Sequence, residues 1–361
     1  MLTLNQIHNI DCIEGLKLLK KQGIKINCCV TSPPYYGLRD YGINPSKWPA
    51  IEYVPLTGST SIIVPDWTGC LGLEPTIEMY IGHIVFIFRL VKETLEKDGT
   101  FWLNIGDSYA GSGKNAGNKK PHPKAVKSLE HLGDVVKMKI PKGLKAKDLI
   151  LIPSRIALAL QADGWWVRSD IVWNKPNAMP ESVTDRPSRS HEYIFLLTKS
   201  SKYFFDMDSI KEPCTQDEFA DGFRGGSYCN NETFDNAAGG KRKRSGNVSR
   251  KYGNDIERPG SHIGNSIPWE GNMRNKRDVW NIATKAFPEA HFATFPPDLI
   301  QPCILGGCPA GGTVLDPFMG SGTVMMKAWE LQRNAIGFEL NSSYIRIAES
   351  SRLNNVQMQI I

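Results

Sequence analysis

The chain has 361 residues, enough for one large or two modest domains, and its 41% hydrophobic and 22% charged residues exclude a disordered or fibrous protein. Its net charge of +6 is unevenly spread: residues 111–147 carry ten lysines against two acids, and residues 239–278 carry ten Lys or Arg against four, so the remainder is mildly acidic. Eight scattered cysteines exclude a disulfide-stapled module, and the longest apolar run, residues 81–91, is too short for a bilayer and is broken by His83 and Arg89, so reduced thiols, a cytoplasmic setting and no membrane contact are expected.

In chain order, residues 24–30 read as a buried strand that breaks into Ser32-Pro33-Pro34-Tyr35, where neither proline can donate a ladder hydrogen bond. A long helix is predicted over 76–96, a strand over 100–105, a helix over 147–162, and strands over 165–173 and 191–198. Near the C-terminus, strands over 312–316 and 335–340 alternate with helices over 321–332 and 342–353. Such alternation predicts an α/β fold: a doubly wound, mostly parallel sheet covered on both faces. Residues 41–70, 111–142 and 211–278 break the pattern, being rich in Pro, Gly, Ser, Asn and Lys or Arg. Connections of that length serve binding more often than packing. Cys303 and Cys308 complete no Cys/His ligand set, so no metal site is expected.

Residues 313–340 form a strand, a glycine-rich turn, a helix and a second strand ending in Glu339. Gly320 and Gly322 allow a tight turn and close approach of a ligand, and a terminal acid can accept both hydroxyls of a ribose. A dinucleotide fingerprint fails because Met325 stands where a third small residue is required, and no phosphate loop is complete. A ligand with a ribose and little phosphate remains, and S-adenosylmethionine fits, with Asp316 beside the turn to face its amino group. A purely structural glycine turn stays open on this segment alone.

An exocyclic amino group on a base is a poor nucleophile because its lone pair is delocalised into the ring. Two acceptors that take its N–H bonds help it pyramidalise toward an in-line methyl sulfonium. The Ser32 hydroxyl and the Pro33 carbonyl can be those acceptors, in a turn stiffened by Pro33 and Pro34, with Tyr35 offering a flat face to a base swung out of the duplex. The competing reading is that the prolines merely end a strand.

Thr31-Ser-Pro-Pro-Tyr35 together with Val314-Leu-Asp-Pro-Phe-Met-Gly-Ser-Gly-Thr323 resembles the amino-methylating DNA methyltransferases acting on N4 of cytosine or N6 of adenine. The motif order is that of their β group: catalytic motif first, target recognition between, cofactor motif last. The resemblance implies a Rossmann-like fold with catalytic residues Ser32, Pro33, Pro34 and Tyr35. For the cofactor, S-adenosyl-L-methionine, it implies Asp11 at the adenine, Thr294 and Phe295 over the methionine end, Asp316, Phe318, Gly320, Gly322 and Thr323 at the turn, and Glu339 at the ribose. It divides the chain into a catalytic half over 1–198, a target-recognition region over 199–279 and a cofactor half over 280–361. Ser in the first motif position leans toward cytosine N4, with adenine N6 as the alternative and a non-catalytic DNA-binding protein as the alternative of another class.

Double-stranded DNA is the implied partner, its phosphates met by Lys241, Arg242, Lys243, Arg244, Arg274, Lys276 and Arg277. A bacterial or phage origin, a cognate restriction endonuclease and a homodimer are further expectations. His191 and Glu192 are read as structural, since methyl transfer from a sulfonium to an amino group requires no prior proton abstraction.

Overall fold

The computed structural model describes residues 1–111, 134–135, 140–213, 273–285, 295–354 and 356. Its frame is an eight-stranded sheet made of β1 (Gln6–His8), β2 (Ile26–Thr31), β3 (Leu95–Ile105), β4 (Trp166–Asn174), β5 (His191–Thr198), β6 (Val279–Asn281), β7 (Thr313–Asp316) and β8 (Asn334–Phe338), in the order β1-β8-β7-β2-β3-β5-β4-β6. Every pairing is parallel except the two made by β5, so seven strands share one direction and β5 alone opposes them. The sheet is thus the mostly parallel, Rossmann-like one expected, with helices on both faces.

The two faces follow from strand periodicity. Along β2, Cys29 packs with Leu16, Tyr80, Phe88 and Ile156, whereas Cys28 and Val30 pack with Ile304, Val324 and Ala328 on the other side. The first face is covered by α1 (Cys12–Gln22), α2 (Ile77–Thr94) and α3 (Ile152–Ala162), and the second by α4 (Pro297–Gly307) and α5 (Thr323–Glu330). A last helix, α6 (Ser342–Ile347), widens into a π turn over Ala348–Leu353. Cys12, Cys28, Cys29, Cys303 and Cys308 are all buried. No helix among the described residues is long and apolar enough to cross a membrane.

Local chemistry sets the boundaries. Asp11 caps α1 by accepting from the Ile13 N–H, and Gly23 ends it in the left-handed region. α3 starts five residues later than the expected 147, because Leu151 is left-handed and Asp107 Oδ1 caps the Ile152 N–H at 3.0 Å, while Leu149 bridges to Tyr109. β1, α1 and β6 were not foreseen. Residues 41–70, expected as an irregular loop, contain a bent antiparallel ribbon: Ser46–Trp48 pairs with Trp67–Gly69, and Ile51–Tyr53 with Ile62–Val64.

Contacts divide the chain into one unit of Met1–Ile210 with Arg277–Ile361 and another of Lys211–Lys276. The division falls inside the expected limits of 199 and 279. Phe205 stacks on Trp102 and Ile210 packs near Gly306, and β6 completes the main sheet, so these flanks belong to the first unit. In the second unit, Glu212–Pro213 pairs with Met273–Arg274.

Candidate active site

Parallel neighbours release their chains at one edge of a sheet, and here β1, β8, β7 and β2 all do so side by side. Val314 and Leu315 stand opposite Cys28 and Cys29, so the chain leaves β7 next to where it leaves β2. The Thr31 hydroxyl donates to Asp316 Oδ1 at 2.6 Å and ties the two exits together across 285 residues of sequence. Above this edge lies a cavity of about 400 Å³ that takes Asp11 from the end of β1, Ser32 to Tyr35 from the end of β2, Phe318, Gly320 and Thr323 from the turn after β7, and Glu339 from the end of β8. Phe295, ahead of α4, completes it.

The turn after β7 is built around its glycines. Gly320 and Gly322 have φ of +52° and +79°, and a Cβ at Gly322 would come within 3.0 Å of Ala348 Cβ. Glu339 braces this turn: Oε2 accepts from the Gly320 N–H at 2.8 Å and Oε1 from the Asn341 N–H at 2.7 Å. Burial raises the Glu339 carboxyl above its ordinary value, against the lowering effect of those N–H groups. Asp11, besides capping α1, accepts from Ser46 Oγ at 2.7 Å, so the ribbon is anchored at the cavity rim.

The proline corner is braced from α2. Tyr80, fully buried, donates its hydroxyl to the Pro34 carbonyl at 2.9 Å. Gly72, at φ +92°, passes so close that a Cβ there would lie 2.9 Å from the Tyr35 carbonyl, and its own carbonyl accepts from the Gly37 N–H at 2.7 Å. Glu74 accepts from the Gly72 N–H and from His83, whose ring is stacked between Trp48 and Trp67 of the ribbon. One face of α2 thus holds both the corner and the ribbon.

Tyr35 does more than present a ring. Its edge packs on Gly106, where an added Cβ would meet Cε2 at 2.6 Å, and its hydroxyl lies 2.8 Å from Glu192 Oε2, 3.3 Å from Asn104 Oδ1 and 3.3 Å from Ser32 Oγ. Glu192 also accepts from Asn104 Nδ2 at 3.2 Å and pairs through Oε1 with Lys175. Burial, then the neighbouring Glu192 charge, pushes the Tyr35 phenol well above its ordinary value, so it stays protonated. Glu192, read from the sequence as structural, lines the cavity instead. No residue spacing could have signalled it: it reaches Tyr35 because β5 runs backwards and begins where β3 ends, with Tyr193 opposite Ile105.

Asp316 and Gly322 are not brought to the cavity wall. Asp316 is 1% exposed and sits behind the wall, with Oδ1 accepting from Thr31 and from the Phe318 N–H. Burial raises its carboxyl to about 7. Gly322 serves as the N-cap of α5. Thr294 and the run Lys241, Arg242, Lys243, Arg244 lie outside the described residues. Arg274 pairs with Glu212 at 2.9 Å, Lys276 is half-buried, and Arg277 is exposed just before β6.

The donor set suits an adenosyl group. Ile10, Phe318, Phe338 and Leu340 supply apolar wall, Asp11 and Glu339 supply acceptors for an amino group and for hydroxyls, and Arg39 is the one cation among the described lining residues. That balance favours a ribose without phosphates.

A family model described as DNA methylase, for amino N6 and N4 enzymes, matches residues 26–350. The type II methyltransferase M.XycI of Xanthomonas campestris pv. cyanopsidis is 40% identical over 352 residues, covering 97% of this chain and 88% of that one. M.Cfr9I of Citrobacter freundii is 40% identical over 340 residues, covering 94% and 84%. Among solved structures, the cytosine-N4-specific PvuII DNA methyltransferase superposes with a TM-score of 0.52 at 13% identity, over 99% of this chain and 92% of that one, a likeness of fold.

Proposed function

We propose that this chain, which belongs to the type II amino-methyltransferase family of DNA methylases, transfers a methyl group from S-adenosylmethionine to N4 of a cytosine flipped out of double-stranded DNA. The observation that carries this reading is the sharing of one cavity by the Ser32-Pro33-Pro34-Tyr35 corner and the Phe318–Glu339 cofactor wall. Bound there, S-adenosylmethionine supplies an electrophilic methyl group. Asp11 accepts from its adenine, Glu339 from its ribose, Phe318, Gly320 and Thr323 shape the wall, and Thr294 and Phe295 cover the methionine end. Asp316 and Gly322 act from behind, by holding the turn.

The Ser32 hydroxyl and the Pro33 carbonyl accept the two N–H bonds of the target amine and leave its lone pair facing the methyl group. Ser32 at the first motif position is, by resemblance to the family, the feature that leans the target toward cytosine over adenine. Target recognition belongs to residues 199–279, between the catalytic half (1–198) and the cofactor half (280–361), with Lys241 to Arg244, Arg274, Lys276 and Arg277 on phosphates. A companion endonuclease cutting the same sequence would be blocked by the product.

The test supplies duplex DNA and methyl-deuterated cofactor, then hydrolyses the DNA to nucleosides and weighs them. Labelled N4-methylcytosine is expected, with a loss on the order of 100-fold or more in Ser32→Ala. Labelled N6-methyladenine would move the target to adenine within the same class. Cofactor binding with no labelled nucleoside from any duplex, in parent and variant alike, would leave a DNA-binding protein without catalysis.

A further inference from the structure

A serine hydroxyl helps an amine only if it accepts: a hydroxyl that points its own proton at the cavity repels the N–H it should receive. Which way the Ser32 proton points is decided by Tyr35, 3.3 Å away, because a phenol carries one proton and two lone pairs. If Tyr35 donates elsewhere, its oxygen is free to receive the Ser32 proton.

Glu192 makes that choice. Its carboxylate can only accept, and at 2.8 Å it is the nearest partner of the Tyr35 hydroxyl, ahead of Asn104 Oδ1 at 3.3 Å. Lys175 pairs with the other carboxylate oxygen while its ammonium lies 4.3 Å from the Trp173 ring, so the carboxylate is held in place. Asn104 Nδ2, anchored on the Tyr193 carbonyl at 3.1 Å, adds a second donor to Oε2. Lys175 and Glu192 are each only 19% exposed, so the pair is poorly screened and its geometry persists in salt.

We propose that Glu192, fixed by Lys175, is a positioning residue that orders a one-way hydrogen-bond chain, Ser32 to Tyr35 to Glu192, so that Ser32 presents only lone pairs to the target amine. The assignment rests on the methyltransferase reading above. It predicts an unusual response to an almost isosteric change. In Glu192→Gln the new amide NH2 cannot face the Lys175 ammonium, so it turns toward Tyr35 and Asn104. The Tyr35 proton then has no carboxylate to point at and turns to Ser32 Oγ, 3.3 Å away, which leaves the Ser32 proton facing the cavity.

Single-turnover methylation of duplex DNA, thermal melting and cofactor affinity are measured for each variant. Glu192→Gln is expected to lose about 100-fold in rate while melting and binding cofactor as the parent does. In a Ser32→Ala background the same substitution should cost less than about threefold, because the group it acts through is already gone. Lys175→Met added to Glu192→Gln frees the amide to turn back and should restore at least about tenfold. A parental rate in Glu192→Gln, a full second loss on Ser32→Ala, or no rescue by Lys175→Met each overturns the assignment while leaving the methyltransferase reading intact. A parent protein that methylates no DNA sinks both.

Discussion

Asp316 carries the sharpest consequence of burial at a single residue. Removed from water and opposed only by the Thr31 hydroxyl and one N–H, its carboxyl rises from 3.8 to about 7 in the fold. A carboxyl that holds its proton more tightly folded than unfolded costs nothing below about pH 4, and costs progressively more as pH rises toward 7, where the unfolded chain has ionised and the folded one resists. At about 1.4 kcal/mol per unit, the ceiling of that cost is on the order of 4 kcal/mol at pH 8. Asp316→Asn keeps an acceptor for both partners and removes the ionisation. The variant is therefore expected to melt above the parent at pH 8, with the gap closing toward pH 4.5; calorimetry across that range checks it, and a gap independent of pH would assign the change to packing instead.

Among the elements, those with strong periodicity were legible and those held by distant partners were not. β5 matches its expected span residue for residue, and α2 begins within a residue of the Thr76 cap, because each combines a long apolar pattern with its own stop signals. α3 was extended too far N-terminally, since its start depends on Asp107, 45 residues away, and on a left-handed Leu151 that no local pattern announces. The ribbon over residues 46–69 read as loop because its strands are three residues each and it is held by Trp48 and Trp67 against His83 of α2. What this makes of α2 is a brace for chemistry, and Tyr80 tests it. Tyr80→Phe leaves the part-buried Pro34 carbonyl without its donor, a cost of about 1–3 kcal/mol. Urea melting is expected to show a loss in that range, and single-turnover methylation a drop with cofactor affinity kept, since the carbonyl next to the acceptors is released. A variant that loses stability but methylates at the parental rate would confine α2 to packing.

For the molecule as a whole, both motifs of the site were readable and the resemblance implied that they share a cleft; what no local pattern spells out is the means, strand order that sets β7 beside β2 across the 285 residues between Thr31 and Asp316. Glu192, Lys175 and Asn104 were missed for a like reason: Glu192 reaches Tyr35 because β5 opposes its neighbours, Asn104 because β3 lies beside β2, and Lys175, just past β4, meets Glu192. Charge obeys another logic, being legible in composition and independent of the fold. A mildly acidic body with basic residues gathered over 111–147 and 239–278 suits a catalyst that would grip a polyanion through those segments. Each phosphate neutralised by a cation releases counterions, so binding weakens with salt in proportion to the contacts made. Replacing Lys241, Arg242, Lys243 and Arg244 by alanine is expected to flatten the slope of log affinity against log salt by up to about 3.6, while the single-turnover rate at saturating DNA and low salt stays parental. Fluorescence anisotropy on one labelled duplex at four salt concentrations measures the slope. An unchanged slope would take this run off the phosphates and leave the grip to the lysines of residues 111–147, where the same titration on alanine variants at Lys114, Lys119 and Lys120 would show it.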